Sequence, residues 1–151
     1  MDKELKIGDI APDFEIPLGS GRGKLSDYRG KIVVVYFYPK DFTPGCTTEA
    51  CNFRDNISDF KSRGIEVIGV STDSEVSHKK FADKYSLPFL LAPDSSKDIS
   101  RKYNVLGPGA AKRVTFIIDK DGKVAYIFPK VNPKEHAVEV LGKIKELGLA
   151  V

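Results

Sequence analysis

The hydrophobic and polar positions of the chain alternate between strand-like and helix-like segments. Residues 32–38 form a β-branched and aromatic run without polar alternation, which is typical of a strand covered on both faces. Residues 65–70 predict the next strand, and the segment between the two has helical periodicity. A strand, a helix and a further strand predict a βαβ unit whose two strands run parallel.

The helix between these strands has a well-marked start. Pro39 ends the first strand, and Thr43-Pro44 places a capping residue before a proline in the first helical turn. Steps of three and four between apolar residues then predict one continuous helix, which Gly64 ends. The apolar stripe of this helix consists of Cys46, Ala50, Phe53, Ile57 and Phe60.

The rest of the chain continues the alternation. Lys120-Asp121-Gly122 separates β-branched runs at 114–118 and 124–128 and indicates a hairpin. Asn132-Pro133 is expected to open a last helix, in which Glu135 is placed for a capping box. Together the elements predict an α/β sandwich around a mixed central sheet, in a single domain spanning residues 1–151. The other predicted elements are a helix from Asp73 or Ser74 to about Tyr85, a short strand at 89–91 and a short helix over roughly 96–103.

The charge of the chain is too dispersed to indicate a polyanionic partner. The 24 basic and 21 acidic residues give a net charge of +3 and form no basic run, so binding to nucleic acid or to an anionic membrane is not expected. Residues 1–6 lack the apolar core of a signal peptide. The longest apolar run is far shorter than the ~20 residues that span a bilayer. A cytoplasmic protein is therefore expected.

The two cysteines, Cys46 and Cys51, are too few for a disulfide scaffold. In a reducing compartment such a pair is more often catalytic or metal-binding than structural. The two histidines, His78 and His136, are distant in sequence, and a four-ligand zinc site is hard to assemble from these residues. No bound metal is therefore expected.

Cys46 lies in the first turn of the predicted helix, directly after a strand. Free backbone N–H groups and the positive end of the helix dipole favour an anion there, and hence the reactive thiolate. Cys51 lies about 140° further around the helix. The two Cα atoms would be roughly 8–9 Å apart in an intact helix, whereas a disulfide requires less than about 7 Å. The pair can bond only if the helix opens locally, which favours a redox switch over a permanent bond.

Each of these residues also has a structural interpretation. A buried cysteine is usually an inert small hydrophobe, Cys51 could be a tolerated surface thiol, and the pair could bind a metal or form a structural bond. Thr43 could serve only as a helix cap, and Pro39 only as a strand terminator. His78 is expected to be a partly buried structural residue, and His136 a helix-surface residue.

Residues 36–51, Tyr-Phe-Tyr-Pro-Lys-Asp-Phe-Thr-Pro-Gly-Cys-Thr-Thr-Glu-Ala-Cys, resemble the active-site segment of peroxiredoxins. Pro39, Thr43 and Cys46 match the family pattern Pro-x-x-x-Thr/Ser-x-x-Cys. A second cysteine five residues later, here Cys51, marks many members of the bacterioferritin comigratory protein, or Q-type, branch. The likeness extends over nearly the full chain.

The resemblance implies a thioredoxin-like three-layer α/β/α sandwich that reduces hydrogen peroxide and organic hydroperoxides without a metal, haem or flavin cofactor. It implies that Cys46 is the peroxidatic thiolate and that Thr43 supplies a hydroxyl to the thiolate or to a peroxide oxygen. Pro39 would shield the pocket. Arg113, at the start of a segment that resembles the arginine-bearing strand of the family, would orient the peroxide and stabilise the thiolate. Glu49 matches an acidic position that supports the site.

The same resemblance implies how the enzyme is reset. The sulfenic acid formed on Cys46 condenses with Cys51 to an intramolecular disulfide, which a thioredoxin or glutaredoxin-like dithiol then reduces. Members of this branch are commonly monomeric, so a monomer or a weak dimer is expected.

Two other functions stay open on the sequence alone. A dithiol–disulfide oxidoreductase usually carries Cys-x-x-Cys, and the longer spacing between Cys46 and Cys51 counts against it. The non-enzymatic alternative is a thioredoxin-like binding domain whose cysteines are incidental.

Overall fold

The computed structural model describes residues 5–18 and 21–149, so most of the N-terminal segment considered for a signal peptide lies outside the described residues. None of the described helices has the length and apolar character needed to cross a membrane. The strands are β1 Glu15–Leu18, β2 Gly21–Lys24, β3 Ile32–Phe37, β4 Ile65–Ser71, β5 Leu90–Pro93, β6 Val114–Ile118 and β7 Val124–Phe128. The helices are α1 Pro44–Asp55, α2 Ile57–Ser62, α3 Glu75–Tyr85, α4 Asp98–Lys102 and α5 His136–Glu146, with a 3₁₀ turn at Leu25–Tyr28.

The central sheet has five strands in the order β5-β4-β3-β6-β7. β4 is parallel to both β3 and β5, whereas β6 is antiparallel to both β3 and β7. This mixed sheet, with the β6–β7 hairpin, confirms the architecture predicted from the sequence. β1 and β2 form a separate antiparallel hairpin. The sequence pattern does not predict this hairpin, because its four-residue strands contain Pro17 and two glycines, which are poor strand formers.

β3 forms the centre of the core. All of its residues are buried, as the unbroken apolar run predicts. Its odd-numbered residues pack in one hydrophobic cluster and its even-numbered residues in another, because successive side chains of a strand point to opposite faces. The even-numbered face carries α1, α2, α3 and α5, and the odd-numbered face carries α4, the 3₁₀ turn and the β1–β2 hairpin. The result is a layered sandwich with the sheet in the middle.

The prediction of one continuous helix up to Gly64 is wrong. α1 ends at Asp55, Asn56 leaves helical geometry with φ −109° and ψ 7°, and α2 begins at Ile57. Asn56 Nδ2 donates to the carbonyl oxygen of Asn52 at 2.8 Å, the acceptor that a continuing helix would offer to the Asn56 backbone. The side-chain amide thus competes with the helical hydrogen bond and interrupts the helix.

The last helix begins later than the sequence predicts. Asn132 and Pro133 form a turn, in which the Asn132 carbonyl oxygen accepts from the Glu135 N–H at 3.1 Å and Asn132 Oδ1 accepts from the Lys134 N–H at 3.2 Å. α5 begins at His136, and its cap residue, Glu135, makes no side-chain capping bond. The predicted capping box is therefore wrong, because Asn132 organises a turn before the helix and not the helix itself.

Candidate active site

The sheet topology brings the end of β3 next to the start of β6. Because these strands are antiparallel, Phe37 at the end of β3 pairs with Val114 at the start of β6. Arg113 directly precedes β6, and the loop after β3 leads into α1. Cys46 and Arg113, which are 67 positions apart in sequence, therefore meet, with 3.2 Å between Arg113 Nη2 and Cys46 Sγ.

Cys46 is buried, with 1% exposure, in the first turn of α1. Thr43 occupies the N-cap, but its side chain does not cap the helix; Oγ1 instead donates to the Lys40 carbonyl oxygen at 2.8 Å. The first helical bond runs from the Thr47 N–H to the Thr43 carbonyl oxygen at 2.9 Å. The N–H groups of Gly45 and Cys46, which a capping side chain would otherwise engage, are thus available to an oxygen atom beside the sulfur.

Arg113 bridges the Cys46 sulfur and a buried carboxylate. While Nη2 faces the sulfur, Nη1 donates to Glu49 Oε1 at 2.6 Å. A planar guanidinium can hold two such partners at once, because its donors point in fixed directions. Burial lowers the pKa of Arg113, but the neighbouring Glu49 and Cys46 together raise it above its ordinary value. The site therefore keeps a permanent positive charge against the sulfur.

Glu49 is the second buried ionisable group of the site. Its residue exposure is 0%, and Oε2 has no hydrogen-bond partner among the described residues. Burial raises the pKa of Glu49 to about 7, although the charge and hydrogen bond of Arg113 act in the opposite direction. The net charge beside Cys46 therefore changes close to neutral pH.

The glycine at position 45 lets Arg113 lie against the first turn of α1. A Cβ at Gly45 would lie 3.1 Å from Arg113 Nη2, closer than an ordinary van der Waals contact. The close approach of the guanidinium, and not an unusual backbone conformation, is therefore the reason for glycine at this position.

Cys51 lies on the same helix but faces a different region of the surface. Both cysteines are free thiols, and Cys51 is half-buried. Because α1 is continuous from Pro44 to Asp55, the two side chains diverge and cannot bond without a change in α1. An open groove of about 380 Å³ beside Cys51 is lined by Thr47, Thr48, Cys51, Asn52, Asp55 and Lys134.

The C-terminal half of α1 is attached to its neighbours by specific contacts. Asn52 Oδ1 accepts from the Ala137 N–H at 2.7 Å, which links α1 to the first turn of α5. Phe53 is fully buried and stacks on Tyr36, with 4.7 Å between the ring centroids. We therefore expect any local opening of α1 to involve the residues before Asn52.

Of the residues that the sequence indicates, Arg113 contacts both Cys46 and Glu49. Thr43 and Pro39 lie in the loop between β3 and α1, where both are half-buried. To act as the resolving cysteine, Cys51 would have to leave the groove that it lines and move towards Cys46.

The prediction that His136 lies on the helix surface is wrong. It is fully buried, and its Nε2 lies 2.7 Å from Oγ1 of Thr115, which follows Arg113 by two residues. Burial lowers the pKa of His136. A signal for this burial is present in the sequence, since His136 precedes Val140 by four residues and Ile144 by eight. At this spacing it lies on the same apolar stripe of the helix.

A second cluster of buried polar residues lies behind the loop of residues 39–43. His78, expected to be partly buried, has 3% exposure, and its Nδ1 lies 2.8 Å from Asp41 Oδ2. Asp41 also has 3% exposure, although no pattern in the sequence indicates its burial. A loop residue has no periodic pattern that would reveal the direction of its side chain, so no local signal marked it.

Comparison with known proteins identifies relatives along nearly the whole chain. Residues 7–127 match the AhpC/TSA family. Peroxiredoxin Bcp of Bacillus subtilis is 44% identical over 152 aligned residues, which cover 95% of this chain and 97% of that protein. Peroxiredoxin Bcp of Escherichia coli K12 is 39% identical over 151 aligned residues, which cover 94% of this chain and 97% of that protein.

Solved structures show the same similarity. A crystal structure of a cysteine-to-serine mutant of PrxQ from Xylella fastidiosa has a TM-score of 0.90 at 32% identity, covering 97% of this chain and 99% of that one. The structure of peroxidoxin BcpB from Mycobacterium tuberculosis has a TM-score of 0.86 at 34% identity, covering 95% and 98%. The thioredoxin-like α/β/α fold predicted from the sequence is thereby confirmed.

Proposed function

This chain belongs to the AhpC/TSA family as a thioredoxin-dependent peroxiredoxin of the Bcp type, and we propose that Cys46 is its peroxidatic cysteine and Cys51 its resolving cysteine. The observation that carries this assignment is the 3.2 Å contact between Arg113 Nη2 and Cys46 Sγ. The substrates are hydrogen peroxide and organic hydroperoxides, and the reductant is a thioredoxin or glutaredoxin-like dithiol. The enzyme acts as a cytoplasmic monomer without a metal or organic cofactor.

The first step is a displacement at the O–O bond. The Cys46 thiolate attacks the terminal peroxide oxygen, an S–O bond forms as the O–O bond breaks, and the sulfur is oxidised to a sulfenic acid. The leaving oxygen departs as hydroxide or alkoxide and takes a proton from solvent, giving water or an alcohol. Negative charge moves from sulfur to the leaving oxygen, where Arg113 and the free N–H groups of the first turn stabilise it.

Thr43 contributes an acceptor to this step. Its hydroxyl hydrogen is donated to the Lys40 carbonyl oxygen, so towards the pocket its oxygen offers lone pairs and can accept from the peroxide O–H. This role replaces donation to the thiolate, which the engaged hydrogen does not allow. Pro39, which has no N–H of its own, supplies an apolar wall.

The second step joins the two cysteines. The Cys51 thiol attacks the sulfenic sulfur of Cys46, an S–S bond forms, and the sulfenic oxygen leaves as water. Because the cysteines diverge on an intact helix, the first turns of α1 open, which breaks the Arg113–Cys46 contact and the Thr47–Thr43 bond. Asn52 and the residues after it keep their contacts with α5 and the core.

The third step returns the enzyme to its reduced form. One thiolate of the reductant attacks the disulfide, and its second thiol releases the mixed disulfide, so two electrons pass to the enzyme and the reductant leaves oxidised. The alternatives, a dithiol–disulfide oxidoreductase and a non-enzymatic binding domain, are not favoured, because the chain is a Bcp-type peroxiredoxin.

The test is peroxide consumption with thioredoxin, thioredoxin reductase and NADPH. We expect turnover by the wild type, none by Cys46→Ser, and in Cys51→Ser a single oxidation that leaves sulfenic or sulfinic Cys46 visible by mass. Peroxidase activity retained by Cys46→Ser would overturn the assignment. Reduction of insulin disulfides without peroxidase activity would point to the oxidoreductase, and neither activity to the binding domain.

A further inference from the structure

We propose that the buried pair of Asp41 and His78 is a positioning unit, which holds the loop of residues 39–43 so that the Thr43 oxygen faces the peroxide. This inference rests on the proposed function, since it concerns the rate of the peroxide step. It adds residues outside the contact of Cys46, Arg113 and Glu49.

The Asp41 carboxylate collects hydrogen bonds from three side chains. Its Oδ1 accepts from Tyr38 Oη at 2.6 Å, and its Oδ2 accepts from Ser77 Oγ at 2.8 Å and lies 2.8 Å from His78 Nδ1. With 3% exposure, Asp41 is a buried carboxylate, and each of its oxygens accepts a hydrogen bond from a protein hydroxyl. A loop side chain held by this many partners has one orientation.

His78 connects this carboxylate to the sheet. While Nδ1 faces Asp41, Nε2 lies 3.2 Å from the Ala92 carbonyl oxygen on β5. Both ring nitrogens therefore face oxygen acceptors, and the ring bridges α3, the loop and the edge of the sheet. Since the sheet and α3 are parts of the core, the contacts of His78 hold the Asp41 side chain in a fixed position relative to them.

The backbone of the loop is fixed from the same side. The Asp41 N–H donates to Asp73 Oδ2 at 2.7 Å, and Asp73 Oδ2 in turn accepts from Ser71 Oγ at 2.7 Å. Phe42 has a left-handed conformation with φ +64°, which is uncommon for a bulky residue and needs surrounding contacts to hold it. Its ring packs edge-on against Phe81, with 5.1 Å between centroids.

These restraints act on the catalytic site through Thr43. Asp41 and Thr43 belong to one turn, which the bond from Thr43 Oγ1 to the Lys40 carbonyl oxygen closes. If Asp41 moves, the Lys40 carbonyl moves with it, and the Thr43 oxygen loses its orientation. Among the described residues, no hydrogen bond joins Asp41 or His78 to Cys46, so the pair acts through the loop and not on the sulfur.

The same residues could suggest a cation site, since ligand atoms of Asp41, Asp73 and His78 lie within 4.8 Å of one another. The hydrogen bonds argue against it. The Asp41 and Asp73 oxygens already accept hydrogens from Tyr38, from Ser71 and Ser77, and from a backbone N–H. A cation would have to displace these donors, so the cluster is better explained as a structural network that holds the loop.

The experiment is a double-mutant cycle between Asp41→Asn and Thr43→Val. The readout is the rate constant for Cys46 sulfenic acid formation in the reduced enzyme, measured by competition with a haem peroxidase for hydrogen peroxide. We expect Asp41→Asn to slow this step on the order of 10-fold, because small misplacements of a substrate contact are costly. In the Thr43→Val background we expect a further loss of at most about 2-fold, since the contact on which Asp41 acts is already gone.

Controls separate positioning from general loss of stability. Asp94 is also a buried aspartate with 2% exposure, and it accepts from the Ile99 and Ser100 backbones and from Ser100 Oγ at the start of α4. Asp94→Asn should therefore lower the melting temperature comparably but leave the peroxide rate constant within about 2-fold. If Asp41→Asn does not fold, Ser77→Ala removes one bond to Asp41 without a charge change and enters the same cycle, with an expected loss of about 3-fold.

The inference would be overturned if Asp41→Asn, or Ser77→Ala in its place, lowered the rate constant for peroxide by the same factor in the wild type and in Thr43→Val. It would also be overturned if Asp94→Asn lowered this rate constant as much as Asp41→Asn does. A wild type without peroxidase activity would refute the proposed function instead. An active wild type with additive losses would refute only the role of Asp41 and His78.

Discussion

Arg113 Nη1 and Glu49 Oε1 are joined by a 2.6 Å hydrogen bond. The Glu49 side chain is inaccessible to solvent, with 0% exposure, whereas the Arg113 side chain has 22% exposure. The carboxylate therefore depends on the guanidinium for its only described hydrogen bond. The guanidinium is free to use its other edge on Cys46. The pair thus fixes the direction from which positive charge reaches the sulfur.

The first prediction concerns the pH dependence of stability through Glu49. Its pKa is about 7 in the folded protein against an ordinary value of 4.5. Because the folded value is raised, the fold binds this proton more tightly than the unfolded chain. The stability that this provides is complete below about pH 4.5 and is lost as the pH rises towards about 7. The total loss is on the order of 3 kcal/mol.

Urea unfolding at about pH 5 and about pH 8 checks this. We expect the wild type to lose more stability over this interval than Glu49→Gln, because glutamine has no proton to release. The same pH slope in both proteins would show that Glu49 does not titrate there.

The second prediction concerns the geometry of Arg113. Arg113→Lys keeps a positive charge, but a single ammonium cannot hold Glu49 and Cys46 in two fixed directions. We expect the rate constant for peroxide to fall on the order of 10²-fold, as for the loss of a donor to a developing negative charge. Stopped-flow oxidation of the reduced enzyme measures it. Arg101→Lys is the matched control, since Arg101 pairs with Asp98 at an exposed site, and a similar loss there would contradict the assignment.

The third prediction separates activity from stability at Gly45. In Gly45→Ala the new Cβ would lie 3.1 Å from Arg113 Nη2, so the guanidinium must move by a few tenths of an ångström, and its 3.2 Å contact with Cys46 Sγ changes. We expect the peroxide rate constant to fall on the order of 10-fold, while thermal unfolding shows unchanged or increased stability, since alanine favours helix by up to about 1 kcal/mol.

Gly142→Ala is the control for this variant. Gly142 lies within α5, and apart from its chain neighbours and the backbone of its own helix no atom of the described residues is within 4 Å of the Cβ position, so the change should stabilise the protein without altering the rate. If Gly45→Ala and Gly142→Ala gave the same rate as the wild type, the close approach of Arg113 to the helix would have no catalytic role.

The fourth prediction concerns how far α1 opens in the disulfide form. Asn52→Ala removes the acceptor of the Ala137 N–H, which leaves a poorly satisfied donor and costs about 1–2 kcal/mol. We expect amide exchange in the oxidised protein to reveal opening of residues 44–51 in the wild type and a longer open segment in Asn52→Ala. Asn52→Asp retains an acceptor and places negative charge at the start of α5, so we expect the open segment of α1 in this variant to be no longer than in the wild type. Identical protection of α1 in reduced and oxidised wild type would refute the helix-opening step.

Much of the fold follows from local pattern. The unbroken apolar run at 32–38 corresponds to β3, the Thr43-Pro44 signature to the start of α1, and the two β-branched runs around Asp121 to β6 and β7. These predictions succeed because burial on both faces of a strand, a helix cap and a tight turn each depend on a few neighbouring residues. The helix break at Asn56 was missed, because a side chain that competes for a backbone acceptor leaves the apolar periodicity unchanged.

The residues of the candidate site also divide into those that local sequence pattern indicates and those that it does not. Cys46 is marked by its place in the first turn of a helix and Cys51 by its spacing from it, whereas Thr43 is marked on the sequence alone as a helix cap and receives its catalytic role from the family resemblance. Arg113 is indicated by resemblance to a family, and without that resemblance it is an ordinary arginine before a strand. Asp41 was not predicted, because its burial depends on contacts with residues such as His78, 37 positions away. The burial of His136 was missed although the apolar stripe that it shares with Val140 and Ile144 indicates it.

The sequence by itself determined that a cysteine begins a helix after a buried strand and that its partner cannot reach it while that helix is intact. Both statements follow from helix geometry, which is the same wherever the helix lies. The tertiary structure decided which charges surround that cysteine, since the antiparallel pairing of β3 with β6 brings Arg113 to the sulfur and the packing of α1 buries Glu49 beside it. Electrostatic interactions depend on distance in space and on exclusion of water, and neither quantity exists until the chain has folded.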